Sequence, residues 1–459
     1  MARPYEPTAH EAFSHDSIDN LGYDWSRVAE PNPKPRPPKK VYFPRTTSDV
    51  QAALTETSRL HQEPVIRGKG HSSNDLVFGE VMVCLENLNK DGPHGDGVLC
   101  LDAATPRVTV QAGIVLARLD AVLACYRLGL PVIGDHEHIT AGGFAAVGGV
   151  SPASHVQGLF VDNVLALEYV NWKGQLISLH PRDPDFRRVL ASTGRLGVIV
   201  TLTLRLVRGN KNETFVRNDR KIVWGSAQFR DMSLERMKNA NAQVLFERGL
   251  WLDLPVGGRF LRVGQFSQYR EQPGSPWARL WNSVAHGWLH FLGYWAGRLP
   301  NWLDRLVKLL GTLGVVFSPR HATIKNVEIF TDKVLDDTVG DPSRMLIVFA
   351  PLGAYAALFD ELYALCLRLR AESALTYVAV YVKGITSSYL SPDAHDPFCE
   401  LLLFVGMGPK MDATILAQAV SEIDDLCIRH KGFRYMHSRT VPPSDKRREK
   451  IDPNLARYP

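Results

Sequence analysis

The chain has 459 residues, ample for two or three domains, and its 45% hydrophobic and 22% charged residues are ordinary for a globular protein with a sizeable core. A formal net charge of +5 is mild for this length and argues against a dedicated nucleic-acid binder. The six cysteines lie far apart without a CxxC pair, and acidic residues near the start replace the apolar run of a signal peptide, so we expect reduced thiols and a cytoplasmic location.

Residues 1–40 are polar and irregular, and they end in a basic, proline-rich stretch typical of a stiff lead-in. A strand at Val41–Phe43 and a capped helix from Thr46 to Leu60 follow. The next stretch runs from Val65 to Asn89, and its start reads V-I-R-G-K-G-H-S. Glycines this close let the backbone turn tightly and uncover N–H groups that suit phosphate oxygens. The alternative is a tight hairpin loop with a chance histidine.

Two further glycine-rich stretches follow. Gly134–Gly149 reads G-D-H-E-H-I-T-A-G-G-F-A-A-V-G-G, and its small side chains predict that a bulky molecule approaches the backbone closely. Gly194–Val200 joins glycines to a β-branched run. The segments between and around them predict one helix, Val115–Leu128, and four strands: Val108–Gly113, Leu165–Val170, Leu176–Leu179 and Val198–Val207.

In this order, the three stretches resemble the FAD-binding domain of the vanillyl-alcohol oxidase/p-cresol methylhydroxylase (PCMH-type) superfamily. R-G-K-G-H-S resembles the pyrophosphate loop of cytokinin dehydrogenases, and G-H-S-S-N-D-L with L-E-N-L-N resembles aldonolactone and alditol oxidases. The resemblance covers residues 42–207 well and the remainder thinly. It implies an α+β fold with a two-subdomain, PCMH-type FAD-binding domain at residues 41–208.

The resemblance also implies one bound FAD. Backbone donors at Gly68, Lys69 and Gly70 would meet the pyrophosphate, and Ile199 the adenine end. His71 stands where several relatives bond the flavin covalently, so covalent attachment is implied; the alternative is a histidine that only hydrogen-bonds. The remaining residues that it assigns to the cofactor are Ile66, Arg67, Ser72, Asp135, Thr140, Gly142, Gly143, Ala146, Val147, Gly148, Gly149 and Val150.

No metal site is expected. His136 and His138 alternate beside Asp135, but a third ligand at a suitable spacing is not visible in the sequence.

From residue 209 the pattern changes to that of an antiparallel sheet with covering helices. It resembles the substrate (cap) domain of the superfamily, at residues 209–430. The tail, residues 431–459, resembles the ends of polyprenyl-phosphoribose oxidases, which fold back onto the flavin domain. The predicted strands are Lys221–Trp224, Val244–Glu247, Gly258–Gly264, Val327–Phe330, Met345–Phe349, Tyr377–Lys383 and Cys399–Val405, and the helices are Tyr355–Arg370 and Ala413–His430.

A tryptophan-rich helical insertion is predicted at residues 277–320. Trp281, Trp288, Trp295 and Trp302 recur every seven residues, which places them along one stripe of a helix. The first interpretation is a core helix, or two broken at Pro300, packed on the sheet. The second is an interfacial helix that lies on a membrane or accepts a lipid-like substrate.

The expected reaction is oxidation of a hydroxyl-bearing carbon of a sugar, polyol, lactone or similar small molecule by hydride transfer to the flavin, with oxygen or another acceptor closing the cycle. The candidate bases are His437, Lys383, Tyr381 and Tyr435, and His437 leads because an imidazole accepts a proton near neutral pH without a large pKa shift.

Three other functions remain open. T-A-G-G-F with S-P-A-S-H-V-Q-G-L-F also resembles sterol side-chain reductases, which would make the protein a C=C reductase. A C–N oxidase acting on a cytokinin-like substrate and a non-enzymatic flavin-binding protein are the others. The oligomeric state does not follow from the sequence.

Overall fold

A computed structural model describes residues 20–22, 37–72, 76–256, 259–295, 320–328, 343–393, 396–437 and 446–458, together with residues 303, 306 and 310. Most of the proline-rich lead-in, Ser73–Asp75 of the first glycine-rich stretch, Pro300, Trp302, and Ile329–Phe330 of a predicted strand lie outside the described residues.

Local sequence explains the elements of the first half. The first helix, for example, begins at a capping box, in which Thr46 Oγ1 accepts from the Asp49 N–H at 3.2 Å and Asp49 Oδ2 accepts from the Thr46 N–H at 3.0 Å. The strands are β1 (Lys40–Tyr42), β2 (Val65–Arg67), β3 (Val81–Cys84), β4 (Val98–Asp102), β5 (Arg107–Gln111), β6 (Leu128–Gly129), β7 (Val164–Asn171), β8 (Leu176–Leu179), β9 (Gly197–Arg205) and β10 (Val207–Arg208). The helices are α1 (Thr47–Arg59), α2 (Leu116–Ala124), α3 (Ala141–Val147), α4 (Ser154–Gln157) and α5 (Phe186–Val189).

These strands form two main sheets. β1, β3 and β2 make a parallel three-stranded sheet in that order, and β4, β5, β9, β7 and β8 make a five-stranded antiparallel sheet. Buried side chains of α1, β3 and β9, such as Leu54, Val83 and Val200, form one cluster, so the two sheets share a core. β2, which precedes the first glycine-rich loop, packs against this cluster through Ile66, and α3 packs in a separate cluster through Ala141 and Phe144.

The second half is dominated by one large sheet. Its strands are β11 (Phe215–Val223), β12 (Val244–Val256), β13 (Arg259–Gln272), β14 (His321–Thr323), β15 (Ser343–Pro351), β16 (Leu375–Ile385), β17 (Phe398–Met407) and β18 (Phe433–Arg434), and its helices are α6 (Ser226–Lys238), α7 (Pro276–Trp295), α8 (Ile324–Glu328), α9 (Tyr355–Ala371), α10 (Ala413–Arg429), α11 (Arg448–Ile451) and α12 (Pro453–Arg457). The order is β14-β11-β13-β12-β16-β17-β15-β18, and the paired strands are antiparallel.

The two faces of this sheet have different neighbours. Side chains such as Val380, Leu401 and Leu403 pack with α6, α9 and α10 in one apolar cluster. Alternate residues along the same strands point the other way, because side chains of a strand alternate between faces. Ile347 and Leu402 on that second face belong to the core of the first half of the chain. The second face therefore meets the glycine-rich stretches.

The carboxy-terminal tail contacts the first half of the chain. Asn454 Nδ2 donates to the carbonyls of Arg187 and Leu190 at 2.9 and 2.6 Å, and Arg195 donates to the Tyr458 carbonyl at 2.7 Å.

Three sequence predictions differ from the structure. The helix predicted at Val115–Leu128 ends at Ala124, and Leu128 instead pairs with Arg208 between β6 and β10. The expected strand at Val327–Phe330 is wrong over its described part, because α8 ends at Glu328 and turns Glu328 toward Lys211, 2.8 Å away. The core interpretation of the tryptophan stripe is also wrong for the described residues. Trp281 and Trp288 are 60% and 55% exposed.

No helix within the described ranges has the length and apolar character needed to cross a membrane.

Candidate active site

A cavity of about 370 Å³ lies between the glycine-rich stretches and the second face of the large sheet. This volume is within the usual range for ligand pockets. The sequence-predicted residues that line it are Ile66, Gly68, Lys69, Gly70, His71, Ser72, Asp135, Thr140, Gly142, Gly143, Ala146, Val147, Val150, Ile199, Tyr381, Lys383, Tyr435 and His437. Residues far apart in the chain thus meet around one space.

Three predicted residues do not line the cavity: Arg67, Gly148 and Gly149. Arg67 is buried beneath the loop, and a side chain at Gly70 would collide with its guanidinium. Gly70 also has a φ of 77°, a conformation that favours glycine. Arg67 therefore supports the loop from below, and the loop backbone faces the cavity.

The second stretch is held against the first by α3. Thr140 caps this helix, and its Oγ1 accepts from the Gly143 N–H at 3.2 Å. The same Oγ1 lies where a Cβ on Gly68 would stand, so the two glycine-rich stretches touch at a point that tolerates no side chain. After α3, the Gly149 N–H donates to the Tyr435 hydroxyl at 3.2 Å. Tyr435 thus fixes the loop that follows the helix.

The opposite wall is one face of three neighbouring strands. In the ladder between β16 and β17, Lys383 lies directly opposite Glu400 and Tyr381 opposite Leu402. On β15, Ile347 is paired with Leu402. The described side chains that line the wall are Met345, Ile347, Tyr381, Lys383, Glu400, Leu402 and Phe404. The wall is therefore mostly apolar, with one charged end.

Lys383 holds the charged end together. Its ammonium, 1% exposed, donates to Asp135 Oδ2 and, at 2.9 Å, to Glu400 Oε2. Burial alone would lower the pKa of Lys383, but these two carboxylates raise it above its ordinary value. Lys383 is therefore a fixed cation and a hydrogen-bond donor, which fits a base poorly.

The pKa values of the two carboxylates, Asp135 and Glu400, shift in opposite directions. Burial alone would raise the pKa of Asp135, but the charges of Lys383 and Arg248 bring it below its usual value. For Glu400, burial and the negative Asp135 outweigh Lys383, so its pKa is raised. Asp135 stays ionised, while Glu400 is the group whose charge changes more easily.

Histidines surround the same space. The rings of His71 and His136 are 5.8 Å apart, and the ring of His437 is stacked on that of Tyr435 at 5.2 Å. Burial, with the nearby Arg434 guanidinium, lowers the pKa of His437 to about 3. The expectation of an ordinary imidazole pKa at this position is therefore wrong, because the site is desolvated.

The other two candidate bases are weak proton acceptors for different reasons. Burial raises the pKa of Tyr381 to about 12. Burial, followed by the charge of Glu400, raises the pKa of Tyr435 well above its ordinary value, and its hydroxyl already accepts from Gly149. Both phenols stay protonated at neutral pH.

Sequence reasoning does not single out Glu400, which lies within the predicted strand Cys399–Val405. The signal that could have found it is a single acid within an otherwise apolar strand, and the register of the folded sheet then places this acid opposite Lys383. Trp172 and Thr193, which also line the cavity, carry no such signal in the sequence.

The residues present fit an FAD. Glycines 68 and 70 form a cradle that any side chain would fill, and the apolar wall of Ile347, Leu402 and Phe404 suits a flat ring system. Apart from a weak contact with the Tyr435 backbone, neither ring nitrogen of His437 has a hydrogen-bond partner among the described residues. A buried polar group in this condition is explained by a ligand that bonds to it.

Within the described residues, no group of three or more His, Cys, Asp or Glu side chains is arranged to hold a metal ion.

Comparison with known proteins agrees with this geometry. A family model described as an FAD binding domain matches residues 38–180. An uncharacterized oxidoreductase of the fasciation locus of Rhodococcoides fascians is 30% identical over 177 residues, which cover 38% of this chain and 39% of that protein.

Two relatives that carry enzyme names are similar to this chain to about the same degree. A D-arabinono-1,4-lactone oxidase of Yarrowia lipolytica is 29% identical over 206 residues, 44% of this chain and 36% of its own length. A cytokinin dehydrogenase of Oryza sativa is 28% identical over 212 residues, 44% of this chain and 37% of its own length. The matches thus span well under half the length of these relatives. Residues 38–180 therefore match an FAD binding domain, which agrees with the fit of the cavity to FAD.

Proposed function

We propose that the protein is an FAD-dependent oxidoreductase that oxidises a hydroxyl-bearing carbon of a sugar-derived lactone, polyol or similar alcohol. The observation that carries the proposal is the cavity itself, which joins the FAD-binding stretches to a wall ending in Lys383 and Glu400. The lactone oxidase among the relatives supports this substrate class. Oxygen or another acceptor would close the cycle.

FAD, when bound, supplies the acceptor for a hydride and its two electrons. The chain's own residues do the rest. The loop from Gly68 to Ser72 and the α3 segment would hold the cofactor, and the apolar wall would exclude water from the reacting carbon. Lys383, as a fixed cation, would orient a substrate oxygen by donating to it.

We also propose the domain division that this arrangement suggests. Residues 41–208 would form the two-subdomain FAD-binding domain, one subdomain around each of the first two sheets, and residues 209–430 the substrate domain around the large sheet. Residues 431–459 would form a carboxy-terminal segment that returns to the FAD-binding domain, which the contact between Tyr435 and Gly149 supports.

The test is reduction of the FAD-loaded protein without oxygen. D-arabinono-1,4-lactone, xylitol, isopentenyladenine and NADPH are mixed with it separately, and the flavin absorbance is followed. Bleaching by the lactone or the polyol is expected. Bleaching by isopentenyladenine alone would indicate a C–N oxidase, and bleaching by NADPH alone a C=C reductase. A flavin that none of a wider panel of alcohols reduces would contradict the proposal.

We propose that His71 bonds the flavin covalently. It lies in the cavity at the end of the glycine loop, and its ring is 5.8 Å from that of His136. Protein precipitated in acid is expected to keep its flavin, and the His71→Ala variant to release it. The His136→Ala variant is the matched control, because it removes the neighbouring ring and should keep the flavin attached. Complete loss of flavin from the parent in acid would contradict the covalent bond.

We propose that α7 lies on an anionic lipid surface. Its exposed apolar residues fall within an arc of about 100° around the helix, and the described members are Trp277, Leu280, Trp281, Val284, Trp288 and Phe291. The opposite side is anchored to the protein, because Asn282 Oδ1 accepts from the Thr323 N–H and from Asn326 Nδ2 at 3.0 and 2.8 Å. The stripe is thus presented outward by a fixed helix.

Charge favours a lipid partner for this stripe. Residues 276–320 carry five basic residues, Arg279, Arg298, Arg305, Lys308 and Arg320, and one acidic residue, Asp304. Tryptophan at the edge of an apolar face with flanking cations is typical of helices in the membrane interface. Each cation near an anionic surface contributes roughly 1 kcal/mol.

The Trp288→Glu variant is expected to lose most of its binding to vesicles of phosphatidylcholine with phosphatidylserine, because it places a charge in the exposed apolar stripe that would enter the lipid. Sedimentation with the vesicles measures this. The control is Trp224→Glu, since Trp224 is 62% exposed but follows the far end of β11, roughly 27 Å along the strand from the β14 pairing. Parent protein that does not sediment with the vesicles would contradict the proposal. A dimer that the Trp288→Glu substitution dissociates would instead show that the stripe binds a second copy of the chain.

A further inference from the structure

Glu400 has an unused hydrogen-bond acceptor inside the cavity. Its side chain is fully buried, and Oε2 accepts from Lys383 Nζ at 2.9 Å. Oε1 is buried without a hydrogen-bond partner among the described residues. A buried acceptor left in this state is unfavourable, so the arrangement is explained by a ligand that donates to Oε1.

Glu400 also lies beside the position that a reacting alcohol would have to occupy. It is on the apolar wall, between the fixed cation Lys383 and Leu402, and this wall faces the FAD-binding stretches. A substrate oxygen that accepts from Lys383 would therefore stand beside Glu400 as well. Of the described residues that line the cavity, only Asp135 and Glu400 carry carboxylates.

We propose that Glu400 accepts the hydroxyl proton of the substrate through Oε1. This inference rests on the proposed function. In the balanced step the O–H proton passes to Glu400 while the C–H hydrogen leaves with its electron pair to the bound flavin, the oxidant of the proposed reaction. The carbon–oxygen single bond becomes a double bond.

The surrounding charges favour Glu400 over its neighbours. The titratable groups of the cavity near it are Lys383 and Tyr381 on β16, Asp135 before α3, and Tyr435 and His437 on the tail, and β15 places Phe349 opposite. Asp135 is held ionised by two cations, and a carboxylate with a lowered pKa is a weak base. Burial raises the pKa of Glu400 above its ordinary value, which makes it the better acceptor.

His437 suits a different task. With a pKa of about 3 its imidazole stays neutral, so it would receive a proton poorly but can donate or accept a hydrogen bond. A neutral imidazole stacked on Tyr435 can orient the substrate or the cofactor. This assigns His437 as a positioning residue.

The test uses FAD-loaded protein and the isosteric variant Glu400→Gln. With D-arabinono-1,4-lactone or xylitol, whichever reduces the parent, the anaerobic rate of flavin reduction should fall by about 10²-fold or more. In the parent this rate should rise with pH as Glu400 ionises and then level off, and the variant should lose this rise. Glu400→Asp should recover part of the rate.

A second readout does not depend on turnover. Infrared spectra of the FAD-loaded parent should show a protonated carboxyl band that titrates and is absent from Glu400→Gln. The matched control is Glu247→Gln. Glu247 is equally buried, and burial raises its pKa to about 7, but it does not line the cavity. That variant should lose a different band and keep the parental rate.

Two results would overturn the inference: a Glu400→Gln rate within threefold of the parent, or spectra in which Glu400→Gln removes no titrating band. A parent that no alcohol reduces would instead refute the proposed function, and the infrared titration would still decide whether Glu400 exchanges a proton.

Discussion

Replacing Lys383 with methionine is expected to lower the free energy of unfolding by about 3–5 kcal/mol. The ammonium is 1% exposed and lies between Asp135 and Glu400, so its loss leaves two carboxylates facing each other in an apolar site. Urea denaturation of FAD-loaded protein measures the change. The loss should be largest at high pH and shrink as the pH falls, because the orphaned carboxylates have raised pKa values and become neutral on protonation.

The control for Lys383→Met is the triple variant D135N/K383M/E400Q. It removes the cation and both carboxylate charges while keeping the shapes of the acid side chains, so most of the lost stability should return. If the single variant is as stable as the parent at high pH, the three groups do not form the buried charged cluster described above.

Replacing Gly68 with alanine is expected to weaken FAD binding and to lower the stability by about 1–3 kcal/mol, the usual cost of overpacking. The added Cβ would stand on Thr140 Oγ1, and a shift of either stretch opens the contact between the pyrophosphate loop and α3. Titration of the apoprotein with FAD, followed by flavin fluorescence, measures the change in Kd.

The double variant Gly68→Ala, Thr140→Ala distinguishes this contact from a general effect on the loop. Removing Oγ1 makes room for the Cβ, so Thr140→Ala should recover part of the affinity that Gly68→Ala loses, although by itself it removes the helix cap. Additive losses would show that the two stretches do not meet at this point.

The cofactor half of the site could be predicted from the sequence because its signals are local. Gly70 and Gly149 are required by close contacts within or beside their own loops, and such requirements leave short motifs in the sequence. The strand at Tyr377–Lys383 was also predictable, because it alternates strongly and pairs on both sides.

The substrate half could not be predicted in the same way. Whether Glu400 faces Lys383 depends on the register of two strands, and the sequence of either strand leaves that register open. The pKa of His437 depends on burial that the whole fold creates. A strand pattern at Val327 gave way to a helix end, where Glu328 meets Lys211 across 117 residues of chain.

The environment of the tryptophan stripe could not be predicted from the sequence either. A seven-residue spacing indicates one side of a helix, but it does not say whether that side faces the core or the outside. Ala278 and Asn282 lie on the anchored side of α7, and Trp281 and Trp288 lie on the exposed side.

The most direct test of the whole account is the flavin content of the purified protein. We expect yellow protein with flavin absorbance bands and one FAD per chain, or colourless protein that takes up one FAD on titration, with the flavin contacting the wall that bears Lys383 and Glu400. In that case a substitution at the wall, such as Leu402→Trp, should shift the flavin spectrum, because Leu402 lines the cavity on the same strand face as Glu400. Protein that neither contains FAD nor binds it at micromolar concentration would contradict the account.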